Sequence, residues 1–373
     1  MSSIIGCTDN GCLGEGFCSA VLRGIENVNG LNNPSMLVEP VGTLQALFDP
    51  VNRDNASFDE IRDSSGAVRQ IRVKRLPRGT YTEAARGIKC DITGTAGYTE
   101  NIVCVTRKAF TSFPITHEQL QAYCAESLRV GTTGNLPTFQ AINDFILAKM
   151  HGLRQFINRD IISVIEANRG VNINYGSSAP QTVGLIQALT GAKLELGIQQ
   201  IMYDLALNSV RGQWLVTGFG VFDRFNTSIQ YGCCNANGLD WNAMAAASPY
   251  RYYQDFDIAD VLGQPNRINI FAPGAVQFVF YNDTILGKDK IDRRHGNARI
   301  GLIPDPFVPG LTYDLVLQEE TCDGGDWRPS YKVLMYLNYD VSFIPLEAYA
   351  IGDRLRTPNG IVNGIFAYNA VTV

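Results

Sequence analysis

The sequence predicts an α+β fold spread over two or three domains, on three observations. One stretch of about thirty residues carries an unbroken helical stripe, the C-terminal half alternates with the period of β-strands, and the first 65 residues show neither pattern. A chain of 373 residues also exceeds the roughly 100 to 200 residues that one domain usually holds.

Residues 1–65 read as an extended arm. Gly, Asn, Pro and Ser recur there, and Leu44, Leu47 and Phe48 form only a short apolar group. An acidic tract runs from Glu39 through Asp49, Asp54, Asp59, Glu60 and Asp63, opposed by Arg53 and Arg62. From Val68 to Leu76 the pattern turns to strand, with Ile71 and Val73 on one face and Arg72 and Lys74 on the other. Pro77 to Gly87 is rich in turn residues, and β-type residues return at Ile88 to Ile92 and Ile102 to Val105. The whole predicts a long hairpin-like excursion with a mobile tip.

A helix start is marked at Thr116, whose hydroxyl can cap while Gln119 closes the capping box and Ile115 and Leu120 supply the hydrophobic staple. Leu120, Tyr123, Cys124 and Leu128 then make its buried stripe. The strongest periodic signal follows: Phe139, Ile142, Phe145, Ile146, Met150, Leu153, Phe156, Ile157, Ile161, Val164 and Ile165 lie on one helical face that ends before Gly170. Pro180 to Asn208 reads as two helical pieces divided near Gly191, the second striped by Leu194, Ile198, Ile201, Met202 and Leu205. Strands are expected at Trp214 to Val216 and on both sides of Pro273-Gly274 within Ile268 to Tyr281, the latter apolar on both faces as in a covered sheet. A hairpin pairs Tyr313, Leu315 and Leu317 with Tyr331, Val333, Met335, Leu337 and Tyr339, and short edge strands are expected after Pro345.

Composition narrows the function classes. Charged residues make up 18% of the chain against a usual share of about 25%, so the surface carries fewer charges than a free monomer needs and suits burial against copies of itself. A net charge of -5 gives no global attraction to nucleic acid. Charge is uneven, however: from Ala67 to Lys89, Arg69, Arg72, Lys74, Arg75, Arg78, Arg86 and Lys89 face Glu83 alone, a local +6. Tyr81 is the single aromatic there, too little for base stacking, so pairing with an acidic neighbour is favoured, against a merely solvated strand face. No apolar run is long enough to span a membrane, and the start lacks a secretory pattern, which places the chain in a cytosol. The nine cysteines form neither CxxC pairs nor a zinc spacing, and reduced thiols are expected. Cys7, Cys12 and Cys18 are crowded enough to meet one another or a neighbouring copy.

Catalytic constellations do not emerge. No dinucleotide fingerprint, phosphate loop, GxSxG elbow or HExxH occurs, and Gly11 to Gly16 follows no strand. His117, His151 and His295 lie in separate contexts, and Cys233-Cys234 and the loop Cys322 to Asp326 read as packing and turn. No catalytic residue, metal ligand or cofactor is assigned, and a non-enzymatic role is expected.

The order of parts resembles the Hong Kong 97-type major capsid fold of tailed bacteriophages: arm, basic two-stranded excursion, short capped helix, one long helix, helical pair, then a sheet-rich half. The resemblance implies an N-terminal arm over 1–65, an extended loop over 66–106, a peripheral domain over 107–209 with a spine helix over 138–169, an axial domain over 210–310, and a return to the peripheral domain over 311–373. It implies self-assembly into hexamers and pentamers of an icosahedral shell around double-stranded DNA, in a virion assembled in the host cytoplasm. Portal, scaffolding or decoration proteins would be partners, DNA would be held only non-specifically, and no membrane would be involved. A nanocompartment shell, a tail-tube or head-completion protein, and an α/β enzyme with unrecognised residues are the alternatives. Inter-subunit contact is expected of Arg69, Arg72, Lys74, Arg75, Arg78, Arg86, Lys89, Cys7, Cys12 and Cys18, the basic group meeting acids such as the Glu39 to Asp63 tract.

Overall fold

The computed structural model describes residues 41–62, 68–75, 99–115, 137–169, 181–185, 214–217, 251–283, 290–292, 298–321, 329–343 and 364–372. Helix α1 (Gly42–Phe48) is followed by the one-turn α2 (Pro50–Arg53), where Pro50 takes a first-turn position and the Asp49 carboxylate accepts from the Val51 N–H at 2.9 Å. Strands β1 (Ala56–Arg62), β2 (Val68–Arg75) and β3 (Thr99–Cys104) make an antiparallel sheet in that order, and β4 (Arg107–Ile115) precedes the long helix α3 (Pro137–Ala167). Next come β5 (Gln181–Leu185), β6 (Trp214–Thr217), β7 (Arg251–Gln254), helix α4 (Asp257–Leu262), β8 (Arg267–Phe271) and β9 (Val276–Tyr281). Strands β10 (Lys290–Asp292), β11 (Ala298–Pro304), β12 (Thr312–Thr321), β13 (Pro329–Phe343) and β14 (Ile365–Thr372) complete the described elements, an α+β set as expected.

Two compact units divide the chain. The first contains the described residues within Thr106–Ile157 and Phe280–Tyr339. Its sheet runs β10-β11-β12-β13-β4, antiparallel throughout. Register places Leu337 opposite Ala109 and Val333 opposite Phe113, all four buried, so period-2 alternation packs one face of the sheet into the core. The predicted hairpin is present: Leu315 pairs with Met335 and Thr321 with Pro329. Within this unit the buried Arg154 of α3 binds Asp305 at 3.0 Å, and Asp305 also accepts from the Phe307 and Val308 N–H groups and the Tyr313 hydroxyl. Four donor groups on one carboxylate tie the turn before β12 to the helix.

The second unit contains the described residues of Glu39–Val105, Asn158–Val279 and Asp340–Val373. Its five-stranded sheet runs β5-β14-β8-β6-β7. Every residue of β8 is buried, and β9 is buried from Val276 to Val279, as the two-sided apolar pattern predicts. Between them Gly274 adopts φ 75°, a backbone setting that favours glycine at this turn.

Several expectations are corrected. Residues 41–62 are not part of an extended arm: Leu44 and Leu47 are 0% and 1% exposed, and α1 is packed into the second unit. Its first-turn N–H groups are taken by side chains far along the chain, Thr43 N–H by Asp255 at 2.7 Å and Leu44 N–H by Asn158 at 3.1 Å, which no local pattern could signal. Gln181 to Leu185 is a strand, not helix, because parallel pairing to β14 overrides the local preference. That same β14 is no edge strand, having β5 on one side and β8 on the other. On α3 the stripe Ile146, Met150, Leu153, Ile157, Ile161 and Ile165 is buried, but Phe156 is exposed, and the buried face includes the polar Arg154 and Asn158. The long helix ends at Ala167 and not Arg169. The stretch 210–310 is distributed over both units, while the Thr116 helix and the Leu194 to Leu205 stripe lie outside the described residues.

Candidate functional site

The sheet β1-β2-β3 carries the basic group singled out from the sequence. In β2, Arg72 lies beside Glu100 of β3 at 3.5 Å, and Lys74 beside Asp59 of β1 at 2.5 Å. The hydrogen bond and positive charge of Lys74 hold Asp59 below the ordinary carboxylate range. Asp59 belongs to the acidic tract expected to meet the basic strand from another subunit. Antiparallel pairing of β1 with β2 brings the two together within one chain.

Arg75 behaves differently and its expected place at a subunit contact is corrected. It is 5% exposed, its Nε donates to the Gly274 carbonyl at 3.1 Å, and its Nη2 donates to the Ser342 carbonyl and hydroxyl at 3.2 and 3.0 Å. Along a strand, residue 75 shares the parity of Ile71 and Val73, both buried, so the alternation that placed those two inward also places Arg75 there. Here the signal was present and the charge concealed it. Arg69 is placed on β2; Arg78, Arg86, Lys89, Cys7, Cys12 and Cys18 lie outside the described residues.

Beside this sheet, Arg53 of α2 sits over the rings of Phe48 and Phe58, 4.9 and 4.8 Å from their centroids, and donates to the Phe278 carbonyl at 3.0 Å. Asp49 receives Arg251 and the Tyr253 hydroxyl, the latter at 2.6 Å. Burial raises the Asp49 carboxyl, but hydrogen bonds from Tyr253, the Val51 N–H and Arg251 together outweigh it, and Asp49 lies below its usual range. Tyr253 is pushed up to about 12, by burial first and the Asp49 contact second.

A third cluster joins α1, α3 and α4. Asp255 is 0% exposed; its oxygens accept from the N–H groups of Thr43 and Asp257 and from Asn158 Nδ2 at 3.0 and 3.1 Å. The same Nδ2 reaches Asp257 Oδ2 at 2.8 Å, while Arg159 binds Asp257 at 2.7 Å and Asp260 at 2.7 Å. The Thr43 hydroxyl stands near Asp255 without the geometry of a hydrogen bond, so the Thr43 backbone N–H is the contact that counts.

None of these clusters offers an attacking group beside a base. His151 is half-buried, its Nδ1 2.8 Å from Arg154 Nη2, which fits a satisfied structural histidine. Among the described residues no group of three or more His, Cys, Asp or Glu is placed to hold a metal ion, and Cys104 is an exposed free thiol. His117, His295, Cys233, Cys234 and the Cys322 to Asp326 loop lie outside the described residues. Among the described residues three large apolar side chains stand exposed, Ile102 of β3, Phe110 of β4 and Phe156 of α3, at 51, 66 and 57% exposure.

No family model and no curated protein matches this chain. Solved structures do resemble it. The capsid asymmetric unit of cyanophage A-1(L) is 15% identical with a TM-score of 0.44, over 92% of this chain and 95% of that one. The mature capsid asymmetric unit of bacteriophage PhiM1 is 12% identical with a TM-score of 0.42, over 86 and 87%. A virus-like particle from Pyrococcus furiosus is 12% identical with a TM-score of 0.41, over 95 and 98%.

Proposed function

We propose that the chain is a major capsid protein of the Hong Kong 97 type, which self-assembles into the icosahedral head of a tailed bacteriophage. The observation that carries this reading is the order of elements. An antiparallel pair, β2 and β3, is followed by one 31-residue helix and then by a C-terminal half whose strands belong to two sheets. The low share of charged residues and the exposed Ile102, Phe110 and Phe156 support a surface that neighbouring copies cover. The role is structural, and its partners are copies of itself in hexamers and pentamers, with portal, scaffolding or decoration proteins completing the head.

Within that reading, Arg69, Arg78, Arg86 and Lys89 are the basic residues left for contact with a neighbour, since Arg72 and Lys74 meet acids of their own chain and Arg75 is internal. Cys7, Cys12 and Cys18 are proposed at a contact of the same kind. Negative-stain microscopy and sedimentation of the expressed chain test the proposal: closed shells are expected, and a compact monomer under every salt and scaffold condition overturns it. Non-reducing mass spectrometry of particles tests the cysteines, which would be disproved as a contact by three free thiols and no bound metal.

A further inference from the structure

We propose that Asp255, Asn158 and Asp257 form a pH-sensitive joint, which holds α1 to α3 and α4 more tightly as the solution becomes acidic. The geometry states the reason. The Asn158 side chain is oriented by the Leu44 N–H, which donates to its Oδ1 and so turns Nδ2 toward the two carboxylates. That Nδ2 has two hydrogens but three acceptor oxygens within 3.1 Å, two from Asp255 and one from Asp257. Two negative groups therefore face one neutral amide, both buried, at 0 and 3% exposure.

The surrounding charges do not cancel this. Helix α1 contains no ionisable residue. From α3, Arg159 is the cation of the cluster, and it is shared between Asp257 and Asp260 of α4. From β7, Arg251 and Tyr253 are turned to Asp49. Asp255 itself is met by amide donors, from Thr43, Asp257 and Asn158. Taking up a proton removes one of two like charges from a site without water-like screening, while the Thr43 N–H can still find the second lone pairs of the carboxyl.

Burial first, with the Asp257 charge adding to it, pushes the Asp255 carboxyl up to about 6 from its ordinary 3.8. A raised value in the folded chain means that the stabilisation is complete below about pH 3.8 and is lost as pH rises through about 6. This joint is therefore strong in acid and weak at neutrality. Acid reverses most carboxylate contacts, including that of Asp49, in the opposite direction.

Amide hydrogen exchange of the full-length chain between pH 4.5 and 7.5, corrected for the intrinsic rates and read on peptides covering 42–48, tests the joint. Protection of that segment is expected to fall about ten-fold or more as pH rises through the transition. Asp255→Asn should abolish this pH dependence, and Asp257→Asn, which keeps Asp255 but removes the neighbouring charge, should move the transition to lower pH. Equal pH dependence in the wild type and Asp255→Asn overturns the proposal. If Asp255→Asn does not fold, an unmoved transition in Asp257→Asn overturns it instead.

Discussion

Among individual residues, the contrast between Arg75 and its neighbours on the same strand is the most informative. Removing Arg75 strands the Gly274 and Ser342 carbonyls it now satisfies, inside the core of the second unit. Arg75→Gln is expected to cost about 2–4 kcal/mol of stability. The double variant Arg72→Gln/Lys74→Gln loses only partly exposed pairs and should leave the unfolding midpoint unchanged, a difference that urea denaturation of the two variants will read. Asp49 supplies a second residue-level test. Its carboxyl lies below the ordinary value in the folded chain, so its contribution is present above about pH 4 and lost as pH falls through its folded value. Asp49→Asn should therefore be destabilised by about 1–3 kcal/mol at pH 7, and the gap to the wild type should narrow as the solution is acidified.

Among elements, α1 shows how a short helix with no capping residue can still be held. Val41 provides no side-chain cap, and Asp255 and Asn158 take the first N–H groups in its place. The backbone is also pressed against its neighbour, since a Cβ built on Gly42 would collide with the Gln254 carbonyl oxygen. Gly42→Ala must shift α1 or the end of β7, and a loss of about 2–3 kcal/mol is expected, visible as a lowered melting temperature. Helix α3 gives the matching contrast on one element: Ile161, at 0% exposure, should cost about 2–5 kcal/mol when cut to Ala, while Phe156→Ser should leave the subunit as stable as before.

For the whole molecule, the placement of charge decides which residues can drive the proposed contact between copies. Lys74 and Arg72 meet Asp59 and Glu100 within the chain, so changing them should leave the ionic-strength dependence of assembly nearly as it is. Replacing Arg78, Arg86 and Lys89 together by Gln is expected to weaken assembly and flatten its salt dependence, measured by light scattering across a salt series. Assembly of that triple variant with wild-type salt sensitivity would return the basic excursion to a solvated surface. The same series run on Phe110→Ser and Phe156→Ser separates an apolar contribution, which salt does not weaken, from an ionic one.

By itself, the sequence determined whatever depends on local period. The α3 helix shows in the 3.6-residue recurrence from Ile146 to Ile165, the β12–β13 hairpin in its alternating apolar residues, and the Pro273-Gly274 break in its turn chemistry. Parity along β2 even held the inward side of Arg75. Tertiary structure alone decided the features whose partners lie a hundred or more residues away. Leu44 and Leu47 became core because Asn158 and Asp255 receive the α1 amides, and Gln181 to Leu185 became strand because β14 pairs with it. Such contacts carry no periodic signature, since the free energy that selects them comes from bringing distant segments together and not from the preference of either segment.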